Sequence, residues 1–261
     1  MKISLDINKS IEENASFYFD ESKKYKKKLE GANKALIHSR IKLEKLEKGI
    51  TRHKDQQKKD NKPKRKKDWY EKFRWFYSST GKLFIAGRDA TTNEIIIKKH
   101  TDKDDLVFHT EMAGSPFGVL KTQKEEPTKI EIEECATFIG SYSKAWKSGL
   151  TAMDVFYVTP DQVTKEAPSG EYIGKGSFMI YGKKTILSVP LEIVIGKMTD
   201  GKVMSGPIKP IEMNCKNFVQ ITQGNDKTSK VAKDVNKTIK ADDLDDIVKV
   251  IPVGSKVLLS R

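Results

Sequence analysis

Apolar residues return at every third or fourth position from Ile11 to Ile50. Read as a heptad, the a and d positions are Ile11, Ala15, Tyr18, Ser22, Tyr25, Leu29, Ala32, Leu36, Ser39, Leu43, Leu46 and Ile50. Leu29, Leu36, Leu43 and Ile50 recur at intervals of seven, which places them on one seam of a long helix. No proline interrupts the stretch before Pro63. Gly31 is its main weak spot, at a cost of about 1 kcal/mol relative to Ala. At 1.5 Å per residue the helix should run about 60 Å. A seam of this kind needs a partner, and no second heptad of comparable length follows. The expected partner is a helix that precedes Met1 in a longer parent; a second copy of the chain is the alternative.

Beyond residue 67 the pattern changes to short runs. Phe73–Ser78 alternates, Ser79–Thr80–Gly81 signals a turn, and Lys82–Ala86 completes a predicted hairpin. Asp89 is placed to cap a helix that begins at Ala90 and is carried on by Ile95–Ile97. Leu106–His109, Phe117–Thr122, Met153–Val158, Ser177–Ile180, Leu191–Gly196, Lys209–Met213 and Phe218–Thr222 read as strands. Thr128–Lys147 carries a helical face of Ile132, Ala136, Ile139, Ser143 and Trp146, with Thr128 and Glu131 as a capping box and Gly149 as the stop. Ser229–Ile239 and Asp243–Val250 read as two more helices, and Pro252–Leu259 as a last turn and strand. The aromatic cluster Trp69, Tyr70, Phe73, Trp75, Phe76 and Tyr77 belongs mostly to the core. The predicted fold is α+β, a mixed β-sheet domain with packed helices behind a long coiled-coil-type helix. The expected divisions are a coiled-coil helix over 1–60, a basic linker over 61–67, a globular domain over 68–195 and an α/β extension over 196–261.

Charge adds an asymmetry. The chain has a formal net charge of +13 over 261 residues. Residues 1–67 hold 21 Lys+Arg against 10 Asp+Glu, whereas residues 68–261 hold 28 against 26. A basic arm on a nearly neutral domain points to an anionic partner, with nucleic acid ahead of a membrane surface. The basic run Lys62–Lys67 would add attraction that is independent of sequence; a solvated linker is the plain alternative. Cys135 and Cys215 lie far apart without a CxxC pair, so a reducing cytoplasm is expected, with neither a disulfide framework nor a cysteine-rich zinc site. The most apolar run, Thr185–Gly196, is too short to cross a bilayer and contains Pro190 and Glu192. No membrane association, metal or cofactor is expected.

Candidate chemistry gathers in Ala167–Lys184, APSGEYIGKGSFMIYGKK. Its glycines permit close approach of backbone, Lys175, Lys183 and Lys184 bring positive charge, and Tyr172 and Phe178 offer flat rings. Two ordinary hairpin turns with solvated lysines would have the same composition. Arg88, just before a helix start, is well placed for an anion because free backbone amides point the same way. His109 with Glu111 suggests acid–base chemistry or a metal site, but three ligands at useful spacing are absent, and a hydrogen-bonded structural histidine is the simpler reading.

GRDATTNE (Gly87–Glu94), FHTEMAGSP (Phe108–Pro116), VTPDQVTK (Val158–Lys165) and PSGEYIGKGSFMIYGKK (Pro168–Lys184) resemble the signature segments of the NFACT-R domain, in that family's order. DWYEKFRWFYSSTGKLFIAG looks like the domain's opening, and the long helix resembles the second half of the coiled coil that precedes it in full-length members. LEIVIGKMTDGKVMSGP and DDIVKVIPVGSKVLL are similar to the extension of archaeal-type members, so the likeness covers nearly the whole chain. Some bacterial relatives carry the label fibronectin-binding protein. Thr110 and Thr185 depart from the family pattern, where Ala and Asn are frequent.

The resemblance implies an RNA-binding module of a ribosome-associated quality control factor. The implied partners are tRNA, ribosomal RNA and the obstructed large ribosomal subunit. Lys175, Lys183 and Lys184 would be phosphate contacts, and Arg88 a second anion site. Asn93, His109 and Ser115 would be hydrogen-bonding groups on the same surface, Gly114 would permit close approach, and Lys165 would join the RNA-binding set. Tailing activity is not carried over, because the N-terminal NFACT domain, its helix–hairpin–helix region and the first coiled-coil helix are expected to lie outside this chain. A protein-interaction scaffold using the coiled coil is the alternative, and an RNA- or nucleotide-processing enzyme using His109 and Glu111 is a third reading.

Overall fold

A computed structural model describes residues 3–60, 65–166 and 172–258. It divides into two compact units, Met1–Lys66 and Lys67–Arg261. In the first unit the predicted helix is present as α1 (Ile11–Asp60), 50 residues long. Its start is fixed by a reciprocal cap: the Glu13 amide donates to Ser10 Oγ at 3.2 Å, and the Ser10 amide donates to Glu13 Oε2 at 2.8 Å. Asn14 folds the preceding turn onto the helix, accepting from the Asp6 amide at 2.9 Å and donating to the Asp6 carbonyl at 3.0 Å. Leu29, Leu36 and Leu43 on the expected seam are exposed. The helix runs ten residues past Ile50 because Thr51–Asp60 is rich in Lys and Gln, good helix formers without proline or glycine. Residues 61–64 of the basic run lie outside the described residues.

The second unit opens with a 3₁₀ turn at Trp69–Lys72 and the hairpin β1 (Arg74–Tyr77) and β2 (Leu83–Ala86). There follow α2 (Ala90–Lys99), β3 (Leu106–Thr110), β4 (Gly118–Leu120), α3 (Lys129–Ser141), α4 (Lys144–Lys147) and β5 (Ala152–Val158). Next come a small ribbon of β6 (Val163–Thr164) and β7 (Met179–Ile180), and then β8 (Thr185–Pro190). Strand order in the large sheet is β1-β2-β4-β3-β5-β8. The chain ends with β9 (Ile193–Met198), β10 (Val203–Gly206), α5 (Ile208–Asn214), β11 (Cys215–Gln223), α6 (Thr228–Ile239), α7 (Leu244–Val250) and β12 (Ser255–Val257), which form a second sheet in the order β10-β9-β11-β12.

The α+β class is as expected. The expected mixed sheet resolves into antiparallel pairs throughout the described residues. Within the large sheet β1 with β2 and β3 with β4 are consecutive strands, and the other neighbours are joined through intervening elements. Register brings Ile85 and Val107 opposite Val119, and Phe108 opposite Tyr157. Against this face α3 sets Phe138, fully buried, with its ring 5.0 Å from Phe76 and 5.6 Å from Phe84.

Three sequence expectations change. The helix foreseen over Thr128–Lys147 breaks at Tyr142, and Ser143 caps a new turn by accepting from the Ala145 amide at 3.1 Å. Thr185–Pro190, for which no element is expected, forms β8, and the strand expected over Leu191–Gly196 begins at Ile193 as β9. Lys209–Met213 is helical rather than extended. Pro207 precedes α5, where Ile208 and Ile211, three apart, share the buried side, and the fully buried Ile211 is the anchor.

Candidate nucleic-acid interface

Local geometry brings seven separate stretches of the second unit around one cavity of about 610 Å³. Arg74 on β1, Arg88 in the turn before α2, Asn93 on α2, His109 on β3, Gly114 and Ser115 in the following loop, and Lys175 to Ile180 all line it, with Tyr142, Phe156 and Lys184. Seven of the nine residues singled out from the sequence therefore meet in one place: Arg88, Asn93, His109, Gly114, Ser115, Lys175 and Lys184. Lys183 is exposed and outside the lining. Lys165 also lies outside the lining, where it serves as a strut.

Strand pairing sets Arg74 opposite Ala86, so its Nη1 reaches the Gly87 carbonyl at 2.6 Å while the guanidinium lies 4.7 Å from the Tyr142 ring centre. Arg88 sends Nη2 to the Phe73 carbonyl at 3.0 Å. The Nε of each arginine is buried without a hydrogen-bond partner. Burial is the main pressure lowering both pKa values, and the charge of Arg88 pushes Arg74 the same way. Both stay charged, because a guanidinium starts far above neutral pH.

The other residues form the wall. Asp89 caps α2, with Oδ1 accepting from the Thr92 amide at 2.8 Å. Asn93 Oδ1 accepts from the Phe117 amide at 3.2 Å, tying α2 to the strand region behind it. His109 Nε2 lies 3.2 Å from the Ser115 carbonyl, and the ring stacks on Phe117 with centroids 4.0 Å apart. Burial lowers its pKa, so the imidazole is neutral and donates from Nε2 to that carbonyl. Ser115 spends its hydroxyl on the Met112 carbonyl at 3.0 Å and on Thr110 Oγ1. Gly114 sits at φ +87°, a left-handed conformation that favours glycine.

Lysine charge is distributed unequally at the mouth. Lys184 Nζ is 2.7 Å from Glu111 Oε1 and 4.7 Å from the Phe156 ring centre. Lys175 is exposed. Lys165 Nζ donates to the carbonyls of Gly174 at 2.7 Å and Ser177 at 2.9 Å, and pairs with Glu94 at 2.9 Å. The Gly176 amide donates to the same Glu94 carboxylate at 3.1 Å. This clasp holds the glycine loop in place. Residues 167–171 of the loop lie outside the described residues. Arg74, Tyr142 and Glu94 were not singled out from the sequence; an arginine in an otherwise aromatic strand was the available signal for the first.

Among the described residues no group of three His, Cys, Asp or Glu side chains could hold a metal ion, and no helix is long and apolar enough to cross a membrane. The two cysteines are buried and unpaired, and burial pushes the Cys215 thiol up to about 12.

The cavity falls mostly within residues 72–182, which match the family profile described as the NFACT protein RNA binding domain. The chain belongs to the NFACT family. It is 40% identical over 204 residues to the archaeal Rqc2 homolog aRqcH of Methanocaldococcus jannaschii, a match that covers 76% of this chain and 30% of that protein. It is 37% identical over 191 residues to the ribosome quality control complex subunit NEMF homolog of Drosophila melanogaster, covering 71% of this chain and 18% of the relative. Against human NEMF the figure is 37% over 179 residues, covering 67% and 16%. The chain thus spans less than a third of the length of each of these relatives.

Proposed function

We propose that this chain is the RNA-binding part of a ribosome-associated quality control factor, and that it holds tRNA or ribosomal RNA on the large ribosomal subunit. The observation that carries the reading is the convergence of Arg74, Arg88, Lys175 and Lys184 on one cavity that falls mostly inside the region that matches an RNA-binding domain. The names of the Drosophila and human relatives place those proteins in a ribosome quality control complex. Recognition proceeds through charge and shape, because the cations are aimed at phosphate while the hydrogen-bonding groups of His109 and Ser115 are spent inside the wall.

Titration of tRNA and of a ribosomal RNA fragment at several salt concentrations tests this. Affinity should fall steeply with salt, and the K175A/K183A/K184A variant should weaken all RNAs alike and flatten the salt slope by about one unit for each phosphate that is no longer neutralised. Unchanged affinity in that variant would count against the site. The exposed seam of α1 supports a second reading, a scaffold that recruits a protein through its helix. Loss of a protein partner with full RNA affinity, after Leu29, Leu36 and Leu43 are changed to Ser, would favour it. For the enzymatic reading, Glu111 is held by Lys184 and His109 by the Ser115 carbonyl. Labelled RNA left intact after incubation with the chain and divalent metals would remove that reading.

A further inference from the structure

Arg74 and Arg88 bring more positive charge into the cavity than the protein uses there. Each donates to one backbone carbonyl, each leaves a buried Nε without a partner, and neither meets a carboxylate in an ion pair among the described residues. A guanidinium carries five N–H donors, and leaving a buried one short of acceptors is unfavourable. The two acids that line the cavity are already committed, Asp89 to the cap of α2 and Glu111 to Lys184. An outside anion is the missing component.

The shape narrows its identity. A space of about 610 Å³ is far larger than a bare phosphate needs and lies within the range of small-molecule sites. Phe178, half-buried, forms part of the wall. A phosphate monoester carries about −1.5 to −2 charge at neutral pH, which matches two guanidiniums. A phosphodiester inside a chain carries a single charge and has a sugar on each side, so it suits an open groove better than a recess. We propose that the cavity receives a nucleotide bearing a terminal phosphate monoester, with the phosphate on Arg74 and Arg88 and the nucleoside toward Phe178. The proposal rests on the RNA-binding reading. Its ligand chemistry has two sources, the phosphorylated end of an RNA and a free mononucleotide.

The test uses the whole chain and one short single-stranded RNA in three forms: 5′-phosphorylated, 3′-phosphorylated, and with hydroxyls at both ends. One phosphorylated form should bind about tenfold more tightly than the hydroxyl form. R88Q should abolish that preference, so that the phosphorylated and hydroxyl forms bind alike whatever the variant's overall affinity. Should R88Q fail to fold by circular dichroism, S177W takes its place. Ser177 is an exposed wall position, and a bulky ring there should obstruct the cavity while both arginines are kept in the sequence. Displacement of the phosphorylated RNA by 5′-AMP or 3′-AMP identifies the free nucleotide as a ligand; preference for the phosphorylated end without displacement identifies the RNA end. Equal binding of all three RNAs overturns the proposal and leaves the RNA-binding reading standing. Failure of all three, and of tRNA, overturns both.

Discussion

Glu94 Oε1 holds both the Lys165 ammonium at 2.9 Å and the Gly176 amide at 3.1 Å, while Oε2 pairs with Lys98 at 3.5 Å. The hydrogen bond from Lys165 is the largest cause that lowers its pKa from 4.5 to about 2, and the Gly176 amide is the next. Because the folded value is the lower one, the stabilisation is complete above the ordinary carboxylate range and is lost as pH falls from 4.5 toward about 2. Hydrogen exchange at the Gly176 amide should therefore accelerate across that window before the core opens, and E94Q should show a loosened loop already at neutral pH. Unaltered protection of that amide at low pH would mean the clasp does not hold the loop. Two lysines offer a contrast between structure and function. Lys202 is largely buried and ties Asp68 at 2.8 Å, Asp200 at 2.9 Å and the Tyr70 hydroxyl at 3.0 Å. Its two acids are near half exposed, so K202A should cost about 1–2 kcal/mol, less than a fully buried pair. Lys184 pairs with a mostly exposed Glu111, and K184A should cost under about 1 kcal/mol. Thermal melts and RNA titrations should separate them: K202A lowers the melting temperature with RNA affinity kept, whereas K184A does the reverse.

At the scale of elements, the glycine loop is shaped by a contact that Gly176 makes and Gly174 does not. Gly176 has φ +77°, and a Cβ there would lie 2.4 Å from the Ala90 backbone, whereas a Cβ on Gly174 would meet nothing within 4 Å. G176A should destabilise by about 2 kcal/mol or more, since left-handed strain and a backbone clash add. G174A should be nearly silent in the same melt, and equal effects would mean the loop does not rest on α2. That loop also shows where sequence reading stops. Its glycines and lysines could be read as a close-approach surface, but not that Gly176 approaches the protein's own helix, nor that Lys165 is consumed as the strut. Asp89 as a cap and Thr128 with Glu131 as a capping box were legible because local hydrogen bonding decides them. Arg74 was not, because only the pairing of β1 with β2 carries it to Arg88. The α5 segment was misread as a strand for the same reason: five residues with alternating apolar positions satisfy either period, and packing against β9 and β11 chooses the helix.

For the molecule as a whole, charge and chemistry reside in different units. The first 67 residues carry an excess of 11 positive charges, whereas the remainder carries an excess of 2 yet contains the entire cavity. Coulombic attraction to RNA depends on how many phosphates are neutralised, and it weakens with salt in proportion to that number. A recess with two buried guanidiniums is screened far less than exposed lysines are. The two contributions can therefore be separated by truncation. Lys67–Arg261 is compact by itself and has its own core, so this fragment should unfold cooperatively near the temperature of the second unit in the full chain. Its RNA affinity should be lower at low salt and approach that of the full chain as salt rises, because only the arm's share is screened away. Curves that stay parallel at every salt concentration would mean the arm adds no counterion-dependent binding, and the basic N-terminal quarter would then need another anionic partner to account for it.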